Sequence, residues 1–88
     1  MKLKYEFAVR CVVGEHLLIP MGEGALAFSG MIATSETGAF LAQQLQQDIT
    51  RAELLDALLN EYDVDESTAQ ADLDAFLTHL EELGLLDT

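Results

Sequence analysis

The spacing of apolar residues changes once along this chain, near residue 35, and that change limits the folds open to it. Before it the period is two. Phe7, Val9, Cys11 and Val13 share one side of an extended segment over residues 5–13, and Glu6, Ala8 and Arg10 share the other. The first side predicts a core-facing row, with Cys11 acting there as a small hydrophobe. Gly14-Glu15 predicts a tight turn, and His16-Leu17-Leu18-Ile19 a second strand stopped by Pro20, which has no N–H for a ladder. Gly22-Glu23-Gly24 reads as a flexible connection, and Phe28 to Ala33 as a third strand. Strands this close in sequence predict an antiparallel meander.

After residue 35 the period is helical. Ser35 is a candidate N-cap with Glu36 in the first turn, ahead of an apolar stripe of Phe40, Leu41 and Leu45. Thr50-Arg51-Ala52-Glu53 fits a capping box, with Ile49 and Leu54 at the hydrophobic-staple positions. Leu54, Leu55, Leu58, Leu59 and Tyr62 then form one face of a second helix. A third helix starts near Asp65 and carries Leu73, Phe76, Leu77, Leu80 and Leu83 at three- and four-residue steps. Gly84 is placed to stop it, and Leu85-Leu86 to fold back on its last turn. Three strands followed by three helices make an α+β architecture, read here as one domain over residues 1–88.

Charge removes whole classes of function. Sixteen acidic residues against four basic ones give a net charge of −12. Nucleic-acid binders carry a basic stripe that displaces counterions from phosphates, and none exists here. The acid load serves solubility and is compatible with long-range attraction of a basic partner. Cys11 is the only cysteine, so neither an intrachain disulfide nor a multi-cysteine metal site can form. No apolar run approaches the ~20 residues that span a bilayer. The first residues lack a signal-peptide pattern, so a cytoplasmic protein without membrane contact is expected.

The residues that would carry catalysis are missing. No nucleophile stands beside a base, no metal-ligand spacing links His16 to His79, and Asp72 and Asp74, two apart on a helix, point to different sides. Catalytic residues, metals and cofactors are therefore expected to be none. A small acidic carrier protein is a weaker reading: neither Ser35 nor Ser67 stands in an Asp-Ser-Leu setting, and three strands do not suit a helical bundle.

The segment Gly30-Met31-Ile32-Ala33-Thr34-Ser35-Glu36-Thr37-Gly38-Ala39-Phe40-Leu41 resembles the strand-to-helix junction of PqqD-like proteins, which commonly read Leu-Asn-Glu-Thr-Gly-Ala there. Glu61 to Ala69 resembles the family's second connection, and Phe76 to Leu86 its closing helix. Thr34-Ser35 replaces the family's Leu-Asn, with serine able to keep the capping role, and Ala42 stands where a tryptophan is frequent. The resemblance implies a winged-helix-like body, with a three-stranded antiparallel sheet against three helices. It also implies a non-catalytic role in natural product biosynthesis. Such recognition elements bind the leader of a ribosomally made precursor peptide as an added strand. They present it to a modifying enzyme, often a radical S-adenosylmethionine enzyme.

The residues support that role on physical grounds. Ser29, Gly30, Met31, Ile32, Ala33 and Thr34 carry no charge, so nothing there blocks strand addition as a lysine or proline would. Across the groove that the resemblance implies, Leu73, Phe76, Leu77 and Leu80 offer apolar area. Asp72 and His79 flank that stripe, placed to select a polar or basic leader residue. Core packing claims most of such a stripe by default. The expected partners are a leader peptide and a modifying enzyme, with the chain itself a monomer or weak homodimer. The competing readings are a generic protein–protein adaptor and a winged-helix regulator, the latter opposed by the acidic third helix.

Overall fold

The computed structural model describes residues 1–27 and 30–87. In chain order its elements are β1 (Lys2–Leu3), β2 (Phe7–Val12), β3 (Glu15–Pro20), α1 (Glu23–Ala27) and β4 (Ile32–Thr34). They continue with α2 (Glu36–Gln44), α3 (Arg51–Glu61), α4 (Glu66–Glu82) and β5 (Leu86–Asp87). The fold is α+β, with an antiparallel sheet in the order β2-β3-β4 against helices. The β2–β3 register pairs Phe7 with Pro20 and Val12 with Glu15, and the β3–β4 register pairs His16 with Thr34 and Leu18 with Ile32.

The caps form as the sequence predicts. Ser35 sits in extended backbone and accepts a hydrogen bond from the Gly38 N–H at 3.0 Å. Thr50 and Glu53 close a full capping box: Thr50 Oγ1 accepts from the Glu53 N–H at 3.1 Å, and Glu53 Oε1 accepts from the Thr50 N–H at 3.0 Å. Gly84, at φ 72°, ends α4. Its N–H donates to the Glu81 carbonyl at 3.0 Å and that of Leu85 to the Leu80 carbonyl at 2.9 Å, so the chain folds back and buries Leu85 and Leu86.

The core joins sheet and helices. Leu18, Leu41, Leu45, Leu54, Leu58, Leu73, Leu80 and Leu85 are each under 2% exposed. Burial of one such side chain stabilises by about 1.5–3 kcal/mol. No buried polar side chain stands without a partner among the described residues.

Four expectations need correction. Cys11 is exposed, not in the core: along the expected inward row Phe7 is buried, Val9 half-buried, Cys11 exposed and Val13 98% exposed, so the far end of the hairpin runs beyond the cover of the helices. The turn is Val13-Gly14, one residue earlier than predicted. Residues 23–27 form a helical turn where a flexible connection was expected. Gly24 allows it, because a Cβ there would lie 2.7 Å from Tyr5 Cβ, so only glycine lets this turn settle on Tyr5 and Pro20. Leu83 is at the end of α4 and exposed, outside the buried stripe.

The small β1–β5 sheet has no signal in the sequence, since a two-residue strand shows no period. Lys2 pairs with Asp87 and Leu3 with Leu86. The Met1 ammonium, beside β1, donates to Asp48 Oδ1 at 2.7 Å and to the Ile49 carbonyl at 3.0 Å. That hydrogen bond and the amine's charge hold the Asp48 carboxyl below the usual carboxylate range.

Candidate functional site

The sheet order leaves β4 paired on one side only, so half of its N–H and C=O groups point away from β3. Ile32 turns into the core, Ala33 is exposed and Thr34 half-buried. The strand is shorter than predicted. Gly30, at φ 105°, breaks the extended run, and Met31, 60% exposed, leads into the strand without belonging to it. Phe28 and Ser29, expected in this strand, lie outside the described residues. What remains of the edge carries no charge and no proline, and so lacks the usual blocks to strand addition.

β4 runs directly into the Ser35 cap of α2, and Gly38 in the first turn of that helix lies against two other elements. A Cβ at Gly38 would overlap Thr34 Oγ1 and stand 3.2 Å from Phe76 Cε1. The end of β4, the start of α2 and the middle of α4 therefore meet at one point. Beside it opens a groove of about 420 Å³. Ser35, Thr37, Gly38 and Leu41 line its α2 wall, and Asp72, Ala75 and Phe76 its α4 wall. The volume is at the small end of ligand pockets, about 300–1,000 Å³.

The predicted helix residues divide. Asp72 is exposed and lines the groove, and Phe76 is half-buried with its ring against both core and groove. Leu73 at 0%, Leu77 at 7% and Leu80 at 0% exposure spend their apolar area in the core. They form the floor beneath α4, not the groove's surface. His79 is exposed and lines no part of the groove. The predicted divergence of the two aspartates holds: Asp74 turns to α3, where Arg51 Nε donates to its Oδ1 at 3.1 Å, while Asp72 turns to the groove.

Ser35, Thr37, Gly38, Leu41 and Ala75 line the groove beyond the site residues expected from the sequence, where Ser35 is expected only as a helix cap. Their signal is the Glu36-Thr37-Gly38-Ala39 junction, in which glycine permits the close approach of α2 to α4. A smaller cleft of about 90 Å³ adjoins, sharing Thr37 and Asp72 with the groove and adding Glu36, Tyr62 and Val64. Tyr62 packs edge-on against Phe40, with ring centroids 5.6 Å apart at 86°. Partial burial, then the charges of Glu36 and Glu61, push the Tyr62 phenol above the usual tyrosine range.

Among the described residues no three His, Cys, Asp or Glu side chains are grouped to hold a metal ion. No described helix is long and apolar enough to cross a membrane.

The family model described as Coenzyme PQQ synthesis protein D (PqqD) matches residues 15–86. Among solved structures the chain is similar to "TbiB1 in Complex with the TbiA(beta) Leader Peptide". Identity is 25%, the TM-score is 0.70, and the match covers 99% of this chain and 95% of that one. It is also similar to "Lasso peptide synthetase B1 complexed with the leader peptide", at 25% identity and a TM-score of 0.64, covering 96% of this chain and 93% of that one. No curated protein matches the chain.

Proposed function

The chain belongs to the PqqD family, and on that premise we propose that it binds the leader of a ribosomally made precursor peptide and presents the precursor to a modifying enzyme. In this reading it makes and breaks no covalent bond itself. The observation that carries the reading is an uncharged open strand edge beside a groove, in a chain whose two solved neighbours are each described in complex with a leader peptide.

The leader adds to β4 as a further strand. Its backbone satisfies the outward N–H and C=O groups of residues 31–34, which gives affinity tolerant of sequence. Its side chains alternate, so every second one turns to the groove between α2 and α4 and meets Thr37, Ala75 and Phe76. Leu73, Leu77 and Leu80 hold α4 at the right height from beneath. The enzyme served acts on the remainder of the precursor. A radical S-adenosylmethionine enzyme, expected from the resemblance, is one such partner, and a lasso peptide synthetase, named for one neighbour, is another.

A regulator reading on the same fold is opposed by the net charge of −12, which repels phosphates. Where a short precursor gene neighbours the gene for this chain, calorimetry with its synthetic leader, followed by amide shift mapping, tests the proposal. One-to-one binding with shifts over 31–34 and 72–76 is expected. No binding, or shifts confined to α3, overturns it.

A further inference from the structure

The groove has a chemical asymmetry that specifies its occupant further. Its walls are apolar or hydroxyl-bearing except for one carboxylate, Asp72. That carboxylate takes part in no ion pair and no hydrogen bond among the described residues, whereas Asp74, two residues on, is engaged by Arg51. Asp72 also lines the adjoining cleft, where Glu36 adds a second negative charge. None of the chain's Lys2, Lys4, Arg10 and Arg51, and neither histidine, lines the groove or the cleft. The whole molecule, at net −12, deepens the same negative potential.

We propose that the strand bound here carries a basic side chain that pairs with Asp72, so that this chain selects cationic leader segments. The inference rests on the strand-addition reading above and names the class of peptide it takes. Period two sets the pattern: an apolar residue in the groove and Lys or Arg two positions away lie on the same face of an added strand, about 6.4–6.8 Å apart. Arginine suits the position better, because its planar fork can meet the carboxylate with two hydrogen bonds. A second copy of this chain fits less well. It brings another net −12, and the edge segment it would add, residues 30–34, has no cation for Asp72.

The test is a randomised dodecapeptide library selected by messenger-RNA display on the intact protein, on Asp72→Asn, on Asp72→Lys and on Glu82→Lys. Asp72 and Glu82 are both exposed on α4, so these variants should fold; circular dichroism checks that. Glu82→Lys makes the same charge change ten residues along the helix, about 15 Å away. The expected result is enrichment of Lys or Arg at a fixed offset from an apolar residue. Synthesised winners should bind Asp72→Asn roughly two- to fivefold more weakly, the worth of one partly exposed ion pair. Binding to Asp72→Lys should fall further, that variant should enrich acidic peptides instead, and Glu82→Lys should keep the wild-type preference.

Peptides that shift the amides of residues 32–34 yet show no basic preference would overturn this inference and leave strand addition standing. So would a preference that Asp72→Lys leaves unchanged or that Glu82→Lys abolishes equally. A library with no binders, or binders that shift neither β4 nor α4, overturns the strand-addition reading and this inference with it.

Discussion

The backbone of Gly38 lies directly against the ring of Phe76: a Cβ at that position would stand 3.2 Å from Cε1 and 3.3 Å from Cδ1, and would overlap Thr34 Oγ1. A missing side chain thus sets the separation of α2, α4 and the end of β4, and with it the width of the groove. Gly38→Val gains a few tenths of a kcal/mol in helix propensity, while overpacking costs about 1–3 kcal/mol. The net expectation is a loss of about 1–2 kcal/mol, read from the urea midpoint. A variant as stable as the wild type would mean that Phe76 and Thr34 give way freely.

Stability and binding should separate on α4. Leu73 is fully buried, so Leu73→Ala should cost about 2–5 kcal/mol of stability and affect binding only through the loss of folded protein. Phe76 is half-buried with its ring on the groove, so Phe76→Ala should cost less stability and weaken leader affinity more. Urea unfolding and calorimetry on both variants check this. Equal ratios of the two effects would place Phe76 in the core alone.

What the sequence displayed was whatever local chemistry determines. Ser35, Thr50 with Glu53, and Gly84 act within one turn of their own position, so their capping roles were readable. The helical face of Leu73, Leu77 and Leu80 followed from spacing alone. Pairings that depend on distant partners were not readable: Leu3 meets Leu86, and Gly24 is buried only because Tyr5 and Pro20 lie over it. Cys11 departs from its expected core place for a related reason. Alternation gives the side of a strand, but not how far along it the helices reach. On the candidate site, period separated Asp72 from Asp74 and made the core the default place for the stripe, but it could not say which members the core takes: Leu73, Leu77 and Leu80 are buried, and Phe76 keeps a face on the groove.

Tyr62 gives a spectroscopic handle on the cleft beside the groove. Its phenol is pushed up by partial burial first and by Glu36 and Glu61 after that. An acid whose folded value exceeds its unfolded one contributes stability that is fully present below the unfolded tyrosine range. That stability is lost as pH rises through the folded value. Tyrosinate absorbance should show a component above the ordinary range that disappears in Tyr62→Phe and moves down in Glu36→Gln. A late component that survives Tyr62→Phe would contradict the assignment.

Val13 has φ 50° and is followed by Gly14 at φ 80°, and the flanking Val12 and Glu15 are paired, so the loop has two residues. Two successive positive φ values fit a type I′ turn, in which Asn-Gly is the favoured sequence. Valine suits the first position badly, because the left-handed region costs an L-residue with a Cβ about 1–2 kcal/mol, and a branched Cβ makes it worse. Nothing in the packing compensates, since Val13 is 98% exposed. Asparagine tolerates the left-handed conformation, so Val13→Asn should remove most of the strain without giving up a contact. The expected gain is about 1 kcal/mol, which for a domain of this size raises Tm by about 4–8 °C. Val13→Gly should gain less, because glycine also frees the unfolded chain. Thermal melts of the two variants against wild type decide the matter. A fall in Tm for Val13→Asn would show that Val13 makes a contact that outweighs its backbone strain.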